Sequence, residues 1–169
     1  MTDRIRSFAP IVDDNSRILI LGSMPGAESL RQQRYYAYDR NAFWWIMCDI
    51  FAGSYIEDYY ARVHMLRRNH VALWDVLAEC VREGSLDSAI QNPEPNDVAG
   101  LLRSHPGIRT VLLNGNKATL CFKKYIYKNI NDDGIMYLSL PSTSPANAGI
   151  TYSRKLEAWK SAIIESLHQ

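Results

Sequence analysis

The chain is poor in the residues that bind metals or carry redox chemistry. Its three cysteines, Cys48, Cys80 and Cys121, lie far apart, and no Cys-x-x-Cys pair occurs. That spacing excludes zinc and iron–sulfur sites of the usual form, so the sequence predicts no metal and no cofactor. An odd number of cysteines on apolar patterns reads as buried thiols in a reducing compartment. No histidine falls in the loops singled out below. There is no Gly-x-Ser-x-Gly elbow, no Walker-type glycine–lysine loop and no Gly-x-Gly-x-x-Gly turn. Ser23 has no base placed to partner it, which argues against a hydrolase triad. Charge of one sign is missing as well. Nineteen Lys and Arg face eighteen Asp and Glu, a net charge of +1, so no global basic field coats the surface. No long apolar run or signal peptide is visible, and Met1–Pro10 carries both charge signs. The expectation is a cytoplasmic protein with no membrane association. At 169 residues the chain suits one domain over 1–169, long enough for a real core, and a monomer is expected.

What is present is an alternation of strands and helices. Runs at 17–21, 71–74, 110–113 and 135–140 are rich in Val, Ile and Leu. The continuous run at 17–21 fits a strand buried on both faces. Helices are expected at 41–51, 55–67, 76–82, 96–104, 116–127 and 151–167. Asp75 stands at the start of the helix expected over 76–82, and Asn41 and Asn96 stand at cap positions of theirs. Ser85–Glu94, with its prolines at 93 and 95, reads as loop. The order points to an α/β fold, an αβα sandwich around a central, mainly parallel sheet of four strands. Every motif loop follows a strand, so the loops can meet at the carboxyl edge of the sheet, where open α/β sheets bind ligands.

Three stretches carry chemistry. Gly22-Ser23-Met24-Pro25-Gly26 is a tight turn after the first strand. Tyr35, Tyr36 and Tyr38 crowd beside Arg34 and Arg40, just ahead of Asn41. Leu140–Gly149 reads Leu-Pro-Ser-Thr-Ser-Pro-Ala-Asn-Ala-Gly, a small, polar and stiffened loop with no bulky side chain beyond Pro141. Alone, that loop is equally an ordinary strand-to-helix connection. Together with Asp75 and Asn114-Gly115, the three make a pocket with backbone donors, an aromatic face and amide side chains, but no nucleophile–base pair. Such a pocket suits a ligand whose own bond is ready to break, with the protein supplying orientation and electrostatics. Glycosidic cleavage of a nucleotide fits: the leaving base gains negative charge and the sugar becomes cation-like.

The motif order Gly22–Gly26, then Tyr35–Trp44 through Asn41-Ala42-Phe43-Trp44, then Leu140–Ala148 resembles the uracil-DNA glycosylase superfamily, over residues 15 to 167. Within it the motifs look most like the hypoxanthine-DNA glycosylase branch. The resemblance implies a monofunctional DNA glycosylase whose partner is DNA containing deaminated bases, hypoxanthine above all. The turn with Ser23 becomes the first catalytic motif, and Tyr36 the aromatic that stacks on the flipped base. Asn41 becomes the residue on which hydrolysis most depends. Ser142 begins the second motif. Its Ser144, Pro145, Ala146 and Asn147 would enter the minor groove, and Lys117 would touch a phosphate. Met24, Asp75 and Asn114 stand where a base edge is read. Met24 departs from relatives whose first motif offers Asp, Glu or Asn to position water, and Ser142 departs from those with a histidine there. Both departures match the hypoxanthine branch, with Asn41 taking over the water. No lysine stands in either motif, so no Schiff-base step is expected. Two alternatives remain at this stage: a uracil- or mismatch-specific glycosylase, and a catalytically idle domain of this fold that binds nucleic acid or a nucleotide.

Overall fold

The structure, a computed structural model, describes residues 3–132 and 134–169. Its centre is a parallel sheet of four strands: β2 (Ile18–Gly22), β3 (Val71–Asp75), β6 (Thr110–Asn114) and β7 (Met136–Leu140), in the order β3-β2-β6-β7. Gly22 is paired in register with Asp75, Leu21 with Leu113 and Asn114 with Leu140. The carboxyl ends of all four strands therefore reach one edge together.

The apolar runs of β2 and β6 are explained by burial on both faces, whereas the edge strand β7 is only partly buried. Ile18 and Ile20 belong to one core with Leu112, while Leu19 and Leu21 belong to the other with Val111 and Leu113. Successive side chains alternate between two layers, as the pleat requires. The first layer comprises α2 (Phe43–Phe51), α3 (Tyr59–Arg68) and α6 (Tyr152–Leu167). The second holds α4 (Val98–Ser104) and α5 (Asn116–Cys121). A short α1 (Ala27–Gln32) follows the first motif. Thr151 caps α6 by accepting from the backbone N–H of Arg154 at 3.3 Å. The three cysteines are buried and free.

Four expectations are corrected. Residues 77–81 form a strand, β4 (Leu77–Val81), where a helix was expected over 76–82. The spacing of Val76, Leu77 and Cys80 imitates a helical face. The segment instead pairs antiparallel with β1 (Arg4–Arg6) on one side and β5 (Gln91–Pro95) on the other. β5 lies in what reads as loop, and its prolines are tolerated because it is an edge strand. The cap of α4 is Asp97, which accepts from Gly100 N at 2.9 Å. Asn96 reaches back instead and donates from Nδ2 to the Asp75 carbonyl at 2.8 Å. The helix expected over 116–127 is α-helical only to Cys121, then widens to a π turn at Phe122–Ile126 and tightens to a 3₁₀ turn. That change keeps Phe122 packed on Tyr137, with Tyr127 edge-on to Tyr137.

Candidate active site

The three motif stretches meet at the carboxyl edge of the parallel sheet, and Asn114 joins two of them. Its Nδ2 donates to the Tyr36 hydroxyl at 3.1 Å and to Thr143 Oγ1 at 3.0 Å. Its Oδ1 accepts from the backbone N–H of Thr143 at 3.0 Å. Both ends of the amide are thus committed within the protein, and Asn114 fastens the second motif to β6. Thr143, which the sequence did not single out, is 1% exposed. Its carbonyl accepts from the backbone N–H of Ala42 at 2.9 Å, tying the second motif to the start of α2. The loop is also held from α6. Trp159 donates to the Pro141 carbonyl at 2.9 Å, and the buried Lys155 donates to the Ser144 carbonyl at 3.2 Å. Burial lowers the Lys155 pKa.

Gly115 has a reason to be glycine: φ is +93°, and a Cβ there would lie 2.8 Å from Ser142 Cβ. Ser142 accepts from the Ser144 N–H at 3.2 Å, and Asn147 donates to the Ser142 carbonyl at 3.3 Å. This local turn leaves Pro145 and Ala146 exposed at the tip.

Asn41 precedes α2, and its Oδ1 accepts from Phe43 N at 3.0 Å. The N-cap of α2 is Ala42, not Asn41 as the sequence suggested; Asn41 stands one residue earlier and caps Phe43 N from there. With the oxygen engaged, the amide NH₂ is the end able to donate to a ligand. Tyr36 adopts the left-handed backbone region, φ +53°, and its ring stacks on Phe43 with centroids 4.0 Å apart. Phe43 therefore covers one face of the half-buried tyrosine. Burial, the charge of Asp75 and that of Asp87 raise the Tyr36 pKa against the lowering effect of the Asn114 bond. The phenol stays protonated. Tyr36 and Asn41 line a cavity of about 170 Å³ together with Tyr38, Trp45, Tyr55 and Arg62.

Asp75, Ser23 and Met24 do not line that cavity. They lie toward the sheet edge, around Gly22. A Cβ at Gly22 would sit 2.5 Å from Asp75 Oδ1 and 2.9 Å from the Tyr36 hydroxyl, so only glycine lets both approach the strand. Ser23 is buried and donates from Oγ to Asp87 Oδ1 at 2.6 Å. Met24 is 7% exposed and packs in the second core, against the sheet. Asp87 and Arg82 were not foreseen. Arg82, at the end of β4, donates to the Pro25 carbonyl at 2.6 Å and to the Gly84 carbonyl at 2.9 Å, bracing the first motif. Both lie in or beside the segment misread by periodicity, and no local pattern announces pairs so distant in the chain. Lys117 sits in the first turn of α5, partly exposed and near the loop that Gly115 opens.

The comparisons with known proteins agree with one another. Residues 9–168 match the family model described as the uracil DNA glycosylase superfamily. A protein of Methanosarcina acetivorans named hypoxanthine DNA glycosylase is 37% identical over 154 residues, covering 90% of this chain and 94% of its own. One of Methanosarcina barkeri with the same name is 38% identical over 114 residues, covering 67% of this chain and 72% of its own. The solution NMR structure of a Methanosarcina acetivorans protein assigned as a uracil DNA glycosylase superposes with a TM-score of 0.82 at 34% identity. It covers 99% of this chain and 100% of the other.

Proposed function

The chain belongs to the uracil DNA glycosylase superfamily, and from that premise we propose that it is a monofunctional hypoxanthine-DNA glycosylase. It extrudes a deaminated base from DNA and hydrolyses the bond between base and sugar, leaving an abasic site. The relatives named hypoxanthine DNA glycosylase support the choice of base. The observation that carries the reading is the position of Met24. It is packed into the core, so the first motif offers no polar side chain at the place where a water would be held. The amide of Asn41 is the polar group left to orient that water or to steady the developing sugar cation.

Extruding the base costs a few kcal/mol, less for a mispaired base, which favours deaminated positions before any edge is read. In this reading Tyr36 offers its ring to the extruded base, with Phe43 fixing the ring from behind. Pro145 and Ala146, rigid, small and exposed, fill the gap left in the stack. Ser144 and Asn147 hold the loop in shape, and Lys117 takes a phosphate. Ser23 acts through Asp87 as a positioning residue. Asn114 likewise positions Tyr36 and Thr143, and does not read the base edge itself. No helix among the described residues is long and apolar enough to cross a membrane. We further propose that the enzyme works as a monomer in the cytoplasm, as one domain spanning the chain.

The test is base release from labelled duplexes carrying one hypoxanthine, uracil, xanthine or mismatched thymine, read as strand cleavage after alkali. Cleavage that is fastest at hypoxanthine and depends on alkali is expected. Cleavage at uracil alone, or cleavage without alkali, contradicts the proposal.

A further inference from the structure

One polar group at the sheet edge has no role in the hydrolysis described above. Asp75 ends β3, paired with Gly22 of the first motif. It is 4% exposed, and its Oδ2 is buried with no hydrogen-bond partner among the described residues. Its Oδ1 and the Tyr36 hydroxyl both lie within 3.0 Å of the point a Gly22 Cβ would occupy, so the carboxyl sits near the hydroxyl end of the tyrosine proposed to receive the base. Among the described residues, four titratable or charged groups face it. Tyr35 and Tyr36 come from the segment after α1, Arg82 from the end of β4, and Asp87 from the 3₁₀ turn beyond. Arg82 directs its bonded nitrogens to backbone carbonyls, not to Asp75. Asp87 brings a like charge and is tied to Ser23. A buried carboxyl without a cation bonded to it, beside a second carboxylate, favours its neutral form. Burial first, then Asp87, pushes its pKa up to about 7, with Arg82 opposing.

Resting on the hypoxanthine reading, we infer that Asp75 is the acid that protonates the departing purine at N7 as the glycosidic bond breaks. The bond between C1′ and N9 breaks, and its electron pair goes to the base. The proton of the Asp75 carboxyl passes to N7, so the base leaves as neutral hypoxanthine. Water adds to the cationic C1′, and the proton it sheds restores the acid on Asp75. Hypoxanthine, water and an abasic sugar account for every atom. A pyrimidine has no such nitrogen: uracil leaves as an anion spread over its ring and gains nothing from an acid at this place. Asp75 thereby directs a uracil-glycosylase scaffold toward purines.

The experiment is single-turnover base release from about pH 5.5 to about pH 8.5, a range in which an acid of this pKa titrates. It compares the unaltered enzyme with Asp75→Asn, which keeps size and hydrogen bonding but cannot give up a proton. The substrates are a hypoxanthine duplex and one with carbon in place of N7. For hypoxanthine, the unaltered enzyme is expected to slow as pH rises through about 7. Asp75→Asn should be slower by about a hundredfold or more and insensitive to pH. The analogue lacking N7 should be released slowly and equally by both. A flat or rising profile in the unaltered enzyme, or an analogue released as fast as hypoxanthine, overturns the role of Asp75. If Asp75→Asn fails to fold, the profile of the unaltered enzyme and the analogue still decide. No release of hypoxanthine at any pH, with uracil released, overturns the functional reading itself.

Discussion

At Asn41 two roles share one side chain, and they separate by substitution. The oxygen caps Phe43 N, while the NH₂ is the group proposed to act on water or sugar. Asn41→Ala removes both. It should lower single-turnover release by about a hundredfold or more, comparable to losing one preorganised polar group. It should also cost about 1 kcal/mol of stability through the lost cap. Asn41→Asp keeps an acceptor for Phe43 N and removes the donors, so it should melt close to the unaltered protein and still be slow. Unchanged rates with a lowered melting temperature would leave Asn41 as a cap only. Asp75 makes a prediction independent of catalysis. Its pKa is raised from the ordinary carboxylate value to about 7 in the folded chain. Between about pH 4 and 7 the folded state holds a proton that the unfolded state has released, so this group's contribution is full below about pH 4 and falls as pH rises to 7. The melting temperature of Asp75→Asn relative to the unaltered protein should therefore climb over that window and level off above it, by the equivalent of a few kcal/mol. A difference independent of pH would show that Asp75 is not held neutral by the fold.

The second motif behaves as an element because Asn114 and Thr143 hold it from beneath. Thr143→Val removes one acceptor for Asn114 Nδ2 but leaves the backbone bond from Thr143 N. It should lower stability by roughly 1–3 kcal/mol, as a buried donor loses one partner. Amide hydrogen exchange over 142–147 should accelerate, and base release should slow as the loop tip loses its fixed place. Protection and rate equal to those of the unaltered protein would refute the fastening role. This arrangement was only partly legible in the sequence. The loop's stiffness, its place after a strand and its pairing with the Asn41 stretch could all be read, because prolines, small residues and apolar runs carry local signals. The task of Asn114 could not, because its partners at 36 and 143 are distant in the chain. The strands β4 and β5 failed for a related reason. Cys80 faces inward three residues after Leu77 because the register slips between β4 and β5, an irregularity no local pattern encodes.

Across the whole molecule the four main strands, the two helical layers and the meeting of the motif loops follow from alternation and burial, which is why they were legible. The near-zero charge has a consequence at the same scale. Arg4, Arg6, Arg31 and Arg109 are each within ion-pair distance of a carboxylate, and Arg34 lies over the rings of Tyr59 and Tyr60. Cations and carboxylates balance over the whole chain, and the proposed DNA contacts use only a few of the cations, Lys117 among them, so log affinity for duplex should fall with log salt by only a few neutralised phosphates. A slope near that of a large repressor, about −10, would contradict this. The central claim, that this molecule releases an intact purine by hydrolysis, is tested most directly by identifying the product. A duplex with one deoxyinosine is incubated with excess enzyme, and the small-molecule fraction and the strand are both weighed by mass spectrometry. The account predicts free hypoxanthine and an unbroken strand bearing one abasic sugar, in equal amounts. Release of a nucleoside or nucleotide in place of the base, or a strand retaining its inosine, would contradict it.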